Sequence, residues 1–393
     1  MTPDRRVPSG RRHCPGQRRR GRTARRGTSG DTGSHTLGHV AALAGLDVPT
    51  LAALGLGCAV ELTGVPCPAA PRAAYGRMAE RSKGKDSVTG HWEIAGLVLD
   101  TAFPTFPDGF PPGMIEAFER RIGRRVLGNV VASGTAIIDE LGAAHMASGE
   151  PIVYTSADSV FQIAAHEAVV PVDMLYAWCR VAYELAVEGA GLGRVIARPF
   201  VGTPGAFVRT ANRHDYAMPP IRNTLLDHLS AAGHPVVAIG KVSDLFAGRG
   251  VTESHATRSD DHGMDVLVGC LDTHADGLLF VNLVDFDTRF GHRNDVPGYA
   301  RNLEAFDRRL ADLLPRLGQD DLLVITADHG NDPATPSTDH SREYVPLLVA
   351  GPRVRAGVSL GVRATFADVG QTLADVFGVG PLDSGTSFLG ELA

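Results

Sequence analysis

Short apolar runs alternate with longer amphipathic stretches along most of the chain. Runs rich in Val, Ile and Leu predict strands, and helical spacing of apolar positions predicts helices between them. The predicted strands are 151–158, 194–200, 235–240, 277–286, 321–330 and 344–351, and the predicted helices are 113–122, 171–188, 222–232, 297–316 and 365–377. Because the later runs are apolar on both faces, as buried parallel strands are, the pattern predicts an α/β fold with a central, mostly parallel sheet flanked by helices.

Two segments rich in Pro and Gly interrupt this alternation, at 101–113 and 214–223. They bracket about 110 residues that could form a second, inserted domain. Residues 1–29 differ from the rest because they are rich in Arg, Gly and Pro and show neither strand nor helix periodicity. We predict that this Arg-rich head is disordered.

Composition separates the head from the body of the protein. The 393 residues are 44% hydrophobic and 21% charged, which is ordinary for a globular protein. The net charge of −6 combines a head with ten Arg and one acid with a strongly acidic body. An acidic body argues against nucleic acid as the main partner and fits a soluble enzyme. The five cysteines are sparse and form no CxxC pair, which predicts reduced thiols and a cytoplasmic protein.

Acidic and imidazole side chains collect after the predicted strands in the C-terminal half. Because open α/β sheets bind ligands at the carboxyl ends of their strands, these side chains are candidate metal ligands. Two such sites close together would form a two-metal centre that can hold a phosphate group. The candidates are Asp285, Asp287 and His292 after one strand, Asp328 and His329 after the next, and Asp339 and His340 in the loop that follows.

Two further groups of residues fit phosphate chemistry. Ser87 and Thr89 offer hydroxyls near Gly90, and a hydroxyl beside two metals is a candidate nucleophile. Basic side chains follow strands in and near the inserted segment, where Arg can bind phosphate in a bidentate manner. They are Arg198, Arg209, Arg213, His214 and Lys241, and the polar segment TSADS at 155–159 accompanies them.

From about Gly30 to its C-terminus the chain resembles the phosphopentomutase family of the alkaline phosphatase superfamily. The most specific motifs are TGHWE at 89–93, YTSADSVFQIAAHE at 154–167 and RTANRHDY at 209–216. ADHGND at 327–332 and TDHSREYVP at 338–346 resemble other metal-dependent phosphatases and mutases as well. The resemblance implies a core of residues 30–102 and 218–393, with a smaller α/β cap domain inserted at 103–217.

The resemblance also implies the site residues. Asp287, His292 and His340 would hold one of two Mn²⁺ ions, and Asp328 and His329 would help to hold the other. Ser87 would be the catalytic nucleophile. The side chains facing the sugar phosphate would be Ser156, Asp158, Arg198, Arg213 and Lys241.

The implied activity is the interconversion of ribose 1-phosphate and ribose 5-phosphate, and of the 2-deoxyribose pair. This is an intramolecular phosphotransfer of the isomerase class, through a phosphoenzyme on Ser87 and a bisphosphate intermediate. We therefore expect a cytoplasmic enzyme of nucleoside catabolism, monomeric, that acts on small sugar phosphates and has no nucleic-acid or membrane partner.

One part of the family pattern is missing. The family opens with a strand followed by an Asp that ligates the metal shared with Asp328 and His329, and residues 1–29 contain no such strand. Either this head is an out-of-frame or wrongly started segment, or one metal site lacks a carboxylate and the mutase is impaired. Two rival functions are a phosphohydrolase or another phosphomutase on the same metal core, and RNA binding by the Arg-rich head.

Overall fold

The computed structural model of the protein describes residues 31–156 and 159–393, and the statements below concern those residues. The head predicted at 1–29 lies outside them. The strands are β1 (Ala74–Met78), β2 (Leu127–Val131), β3 (Ile152–Thr155), β4 (Val160–His166), β5 (Arg194–Val201), β6 (Val208–Arg209), β7 (His214–Ala217), β8 (Val236–Ile239), β9 (Glu253–His255), β10 (Leu278–Val281), β11 (Leu323–Ile325), β12 (Val345–Ala350) and β13 (Ser359–Arg363).

The α-helices alternate with these strands through most of the chain, which confirms the α/β class. They are α1 (Thr36–Ala44), α2 (Pro49–Leu54), α3 (Leu56–Ala59), α4 (Ser87–Ile94), α5 (Pro112–Ile122), α6 (Gly134–Ser148), α7 (Val172–Ala182), α8 (Leu225–Ala231), α9 (Val242–Leu245), α10 (Asp260–Thr273), α11 (Val296–Leu313), α12 (Ala367–Phe377) and α13 (Leu389–Leu392). A π-helix, Phe286–Phe290, and a 3₁₀ turn, Gly291–Arg293, separate β10 from α11.

The strands outside the middle of the chain form two sheets within the described residues. One has the order β11-β12-β1-β13 and the other the order β10-β8-β9. The second sheet is parallel throughout, but β12 runs antiparallel to both β1 and β11. The expectation of one mostly parallel central sheet is therefore too simple, because two strands that end these sheets, β10 and β11, do not pair with each other in the described residues.

Alternating residues of the core strands pack against two different helical layers. In β12, Leu348 packs in a cluster with α2, α10 and α11, whereas Leu347 packs in a cluster with α12. In β8, Ala238 and Val237 likewise belong to clusters with α4 and α10 respectively. The core strands are thus covered on both faces, which explains their continuous apolar sequences. The same helices α4, α10 and α12 contact both sheets, so the sheets lie side by side in one three-layer arrangement.

The two facing strand edges differ from their neighbours in burial. Every residue of β10 and β11 is partly exposed, whereas β8 is fully buried and β12 nearly so. Sequence patterns also overestimated these two strands, since β10 ends at Val281 and β11 has only three residues. Each strand therefore ends early, and the chain leaves it as a loop or π-helix that carries the acidic and imidazole side chains.

Residues 127–217 build a third sheet of their own, with the order β2-β3-β4-β5-β6 and β7 paired to β5. The register places Tyr154 opposite Gln162, Gln162 opposite Ile196, and Ile196 opposite Asp215, so these side chains share one face. The alternate residues, among them Phe161 and Val195, form the other face and pack with α5 and α7. One face is therefore a closed apolar core and the other carries polar groups.

Two cysteines depart from the expectation of reduced thiols. Cys58 and Cys67 form a disulfide with Cα atoms 4.5 Å apart, at the end of α3 and in the loop that follows. Cys179 and Cys270 are buried free thiols, as expected. Spacing alone missed the disulfide because the turn at Gly64 brings the two residues together, and no CxxC motif marks such a pair.

Among the described residues no helix is both long enough and apolar enough to span a membrane.

The stacked core of the third sheet gives a test of this packing. Phe161 is buried in β4 and its ring stacks on Phe110 with centroids 4.4 Å apart. Phe161→Ala removes this ring and leaves a cavity, so we expect a loss of about 3–5 kcal/mol in unfolding free energy. The measurement is urea denaturation followed by circular dichroism. Val208→Ala, at a side chain that is 63% exposed, is the control and should change stability by about 0.5 kcal/mol or less.

Candidate active site

Three potential metal ligands converge where the core strands end. Asp287 lies in the π-helix after β10, His329 follows β11, and His340 precedes β12. Their donor atoms all lie within 4.8 Å of one another. Because β11 and β12 are neighbours in one sheet and β10 ends the other, the site lies where the two sheets face each other.

Imidazoles surround the Asp287 carboxylate. Its Oδ2 lies 3.2 Å from Nε2 of His292, and its Oδ1 lies 3.1 Å from Nε2 of His340. The His340 ring stacks on His329 with centroids 3.8 Å apart. Burial would raise the pKa of Asp287, but hydrogen bonds from His292 and His340 hold it well below its usual range. Asp287 is therefore an anion in a compact group of imidazoles.

Ser87 joins this group from a different part of the chain. Its Oγ lies 3.1 Å from Nε2 of His329. Ser87 is the first residue of α4, and Asp86 caps the helix by accepting a hydrogen bond from the Thr89 amide at 3.1 Å. Thr89 is fully buried and its hydroxyl donates to Asp86 at 2.7 Å, so Ser87 is the hydroxyl left to react.

Asp328 stands beside Ser87 and His329 in a second, smaller group. Its Oδ2 lies 3.0 Å from Nδ1 of His91 and 3.3 Å from Nε2 of His329. Burial would raise the pKa of Asp328, but the charges of His329 and His91 hold it well below its usual range. Asp328 is thus a carboxylate anion next to the candidate nucleophile.

The donor types match a divalent metal ion of the Mn²⁺ or Zn²⁺ kind, which binds imidazole nitrogen and carboxylate oxygen. Asn331 adds a buried side-chain oxygen that has no hydrogen-bond partner among the described residues, while its amide nitrogen donates to Asp287. One group of three ligands, Asp287, His329 and His340, meets the geometric requirement in the described part of the chain. The residues present therefore fit one such ion, and the Asp328 carboxylate lies beside one of its ligands, His329.

The segment that begins at Asp31 anchors the loop carrying His329 and His340. Asp31 accepts a hydrogen bond from the Arg342 amide at 3.1 Å and lies 3.3 Å from Lys85 Nζ. Glu343 accepts from both the amide and the hydroxyl of Thr36, at 2.8 and 2.7 Å. The contacts of Arg342 and Glu343 join residues about 300 positions apart in sequence, so the fold, and not the local sequence, fixes the loop.

The same network holds the segment before Ser87. The Arg342 guanidinium donates to the carbonyl oxygens of Gly84 and Glu80, and Lys85 pairs with Asp339 at 2.8 Å. The loop with the nucleophile and the loop with the metal ligands are therefore bound to each other. Asp339 serves as this ion-pair partner of Lys85, whereas Asp285 is occupied by a hydrogen bond from the Asp260 amide.

The predicted substrate residues form a second cluster on the polar face of the third sheet. Ser156 and Arg198 line one small cavity of about 150 Å³, and Arg198 Nε donates to Gln162 at 3.1 Å. Arg213 binds Asp215 through two hydrogen bonds of 2.7 Å. Asp158 lies outside the described residues.

Lys241 is affected by charged groups of both clusters. Burial and the Arg213 charge lower the pKa of Lys241, while the Asp287 charge opposes them. The charges of Arg213 and of Asp287 therefore both act on Lys241, whose side chain is exposed. Sequence reasoning found Lys241, but it missed Asn331, Arg342 and Lys85, whose roles depend on contacts distant in sequence. The sequence signal that could have identified these three residues is their position inside or next to the recognised motifs.

Comparisons with known proteins cover nearly the whole chain. The family model described as the metalloenzyme superfamily matches residues 26–381. A phosphopentomutase from Caldanaerobacter subterraneus is 56% identical over 364 residues, which cover 92% of each chain. Phosphopentomutases from Herpetosiphon aurantiacus and Anaeromyxobacter dehalogenans are 54% and 56% identical over 365 residues, covering 92% of this chain and 93% of theirs. The similarity extends to entire relatives and is not limited to the metal motifs.

The ligand group predicts which carboxylate controls metal affinity. Asp287→Asn keeps the shape of the side chain but removes the anion that the imidazoles surround, so we expect Mn²⁺ to bind about a hundredfold more weakly. Equilibrium dialysis with elemental analysis measures this. Asp320→Asn, which changes an exposed carboxylate paired with Arg353, is the matched control. Unchanged Mn²⁺ affinity in Asp287→Asn would show that the group is not the metal site.

Proposed function

Because the chain belongs to the phosphopentomutase family of the metalloenzyme superfamily, and so is a mutase of the isomerase class, we propose that it interconverts ribose 1-phosphate and ribose 5-phosphate. The 2-deoxyribose phosphates would be a second substrate pair. The observation that carries the proposal is the contact of 3.1 Å between Ser87 Oγ and His329 Nε2. It unites a candidate nucleophile with a group of metal ligands.

We propose that Ser87 carries the phosphoryl group between the two ends of the sugar. The free sugar hydroxyl attacks the phosphorus on Ser87 and loses its proton, the Ser87 O–P bond breaks, and the Ser87 oxygen takes up a proton as the bisphosphate forms. Ser87 Oγ then attacks the phosphate at the other end, and that sugar oxygen leaves with a proton. The enzyme is phosphorylated again, and the phosphate of the product has changed position.

The place of Ser87 at the start of α4 suits this role. The first amides of a helix have no acceptor within the helix and favour negative charge, which a phosphorylated Ser87 would bring. Asp86 already takes the Thr89 amide, so the cap fixes the helix start and leaves Ser87 partly exposed. The helix therefore orients the Ser87 hydroxyl, and Asp86 rather than Ser87 provides the capping hydrogen bond.

We propose that Asp287, His292, His329 and His340 hold a Mn²⁺ ion, and that Asp328 helps to hold another. When bound, such ions neutralise the charge of a phosphoryl group and lower the pKa of a coordinated hydroxyl. His292 is oriented for this by its Nδ1, which contacts the Thr338 carbonyl oxygen at 2.5 Å. That contact turns Nε2 toward Asp287.

We propose that residues 103–217 act as a cap whose polar face receives the rest of the sugar phosphate. Ser156, Arg198, Arg213 and Lys241 are the described members of that surface, and Asp158 is expected beside them. Arg198 is half-buried, so its charge would act more strongly on a phosphate than the charge of a fully exposed arginine. A closed cap would also exclude water and favour transfer to the sugar over hydrolysis.

Replacement of the nucleophile tests the proposal directly. Ser87→Ala removes the proposed nucleophile, so interconversion measured by a coupled assay for ribose 5-phosphate should fall at least a thousandfold, of the order found for nucleophile loss. Ser87→Thr keeps a hydroxyl and should retain measurable activity. Ser254→Ala, at an exposed serine of β9, is the control.

A protein that releases inorganic phosphate and forms no isomerised sugar phosphate would instead be a phosphohydrolase. In that case the proposed activity is wrong even if Ser87→Ala is inactive.

The position of Ser87 also depends on Gly90. A Cβ at Gly90 would lie 2.1 Å from the backbone oxygen of Asp328. Gly90→Ala must therefore push α4 away from the loop that carries Asp328 and His329. Because a displacement of about 1 Å at a reacting group can cost about a hundredfold in rate, we expect that loss in kcat. Gly113→Ala in α5 has no atom within 4 Å and should keep full activity.

A further inference from the structure

A carboxylate and two imidazoles meet at the outer edge of the β10-β8-β9 sheet. Glu253 and His255 alternate on β9, so their side chains share one face of this strand. Nε2 of His255 lies 2.6 Å from Glu253 Oε1, and Nε2 of His274 lies 3.1 Å from Glu253 Oε2. His274 directly follows the last residue of α10. Three side chains of the types that bind zinc therefore converge from a strand and from the end of a helix.

The contacts of His274 require one proton more than a neutral imidazole carries. Its Nδ1 lies 3.1 Å from the Cys270 carbonyl oxygen while its Nε2 faces the Glu253 carboxylate, and both of these oxygens only accept. A neutral ring has one N–H and can donate from one nitrogen only. The Thr273 hydroxyl lies 3.1 Å from Nδ1, but it donates its single proton to the Gly269 carbonyl oxygen at 3.0 Å. A second proton on the ring, or a cation between Nε2 and the carboxylate, would complete the arrangement.

The backbone contact of His274 is the one that metal-binding histidines make. Such a histidine usually donates its other N–H to a carbonyl oxygen or carboxylate, which fixes the ring and directs the free nitrogen to the metal. Nδ1 of His274 and the Cys270 carbonyl oxygen have this relation. Two imidazoles and one carboxylate are also a ligand set that zinc takes in proteins, with water as the fourth ligand. The geometry of His274 and the chemistry of the three side chains therefore both favour a cation.

This cluster is separate from the candidate active site. α10 has 14 residues and is therefore about 21 Å long. Its first residue, Asp260, donates its amide N–H to the Asp285 carboxylate, two residues before Asp287, whereas His274 lies at the other end of the helix. In the sheet, β9 and β10 lie on opposite sides of β8. A cation bound here would not touch the nucleophile or the sugar phosphate.

We propose that Glu253, His255 and His274 bind a Zn²⁺ ion that links β9 to the end of α10. β9 has three residues and is an edge strand of its sheet, so a metal bridge to a long helix would stabilise it. The three donor atoms do not all lie within 4.8 Å of one another, as those of the candidate active-site group do. We expect the His255 side chain, which is 35% exposed, to rotate toward His274 when the ion binds.

Counting bound zinc in variants of this cluster tests the proposal. Wild type and variants are stripped of metal with a chelator, dialysed against Zn²⁺ at neutral pH and subjected to elemental analysis. At a Zn²⁺ concentration near the Kd of the site or below it, we expect wild type to bind up to one Zn²⁺ more per chain than His255→Gln or His274→Gln. Loss of a ligand should weaken binding at least by the tenfold that loss of a group supporting a ligand causes. His234→Gln, at an imidazole paired only with Asp276, is the matched control.

The melting temperature gives a second, independent measurement. Zn²⁺ should raise the melting temperature of the wild type more than that of either variant, because an ion that binds the folded protein stabilises it. Both imidazoles are partly exposed, so the variants should fold, and circular dichroism checks this. Should one of them fail to fold, the other carries the test alone.

Equal zinc stoichiometry and affinity in the wild type and both variants would overturn the proposal, as would an equal rise in melting temperature. Glu253 would then only form ion pairs with protonated imidazoles. Activity measured with Mn²⁺ should be the same in the wild type, His255→Gln and His274→Gln. A loss of activity that accompanies the loss of zinc would also count against the proposal, because it would show that the variants disturb the candidate active site.

Discussion

The Asp287 carboxylate among three imidazoles is the interaction on which the rest of the site depends. His292 and His340 lie within 3.2 Å of it, and His329 stacks on His340 while its other side faces Ser87. Such a group is stable only if other residues fix the position of each member, because like-charged or neutral imidazoles do not attract one another. Thr36, Asp31, Lys85 and Arg342 supply that support through contacts that join the two ends of the described chain.

The arrangement of layers explains how these residues reach one place. Core strands are covered on both faces by helices, so side chains that must stay polar can appear only where strands end. β10 and β11 end early and are the partly exposed strands at the facing edges of two sheets. Asp287 and His329, which follow these strands, therefore lie close together. Helix α4 can approach the backbone of Asp328 closely because Gly90 has no side chain.

We propose a different role for the sheet of residues 127–217, the recognition of the rest of an anionic substrate. Strand alternation separates an apolar face, packed by α5 and α7, from a polar face that holds Arg198, Gln162 and Asp215. The charges of Arg213 and of Asp287 shift the pKa of Lys241 in opposite directions. In this proposal the chemistry and the recognition of the substrate belong to separate sheets.

The sequence by itself determined the α/β class, the family and the identity of the chemical groups. Motifs such as ADHGND and TGHWE name their residues directly, and strand and helix periods follow from local burial. It could not determine which ligands share a group, that His329 joins Asp287 and His340, that Cys58 pairs with Cys67, or that β12 runs antiparallel. Those facts depend on contacts between residues far apart in the chain, and only tertiary packing fixes the distances on which metal binding and nucleophile placement rely.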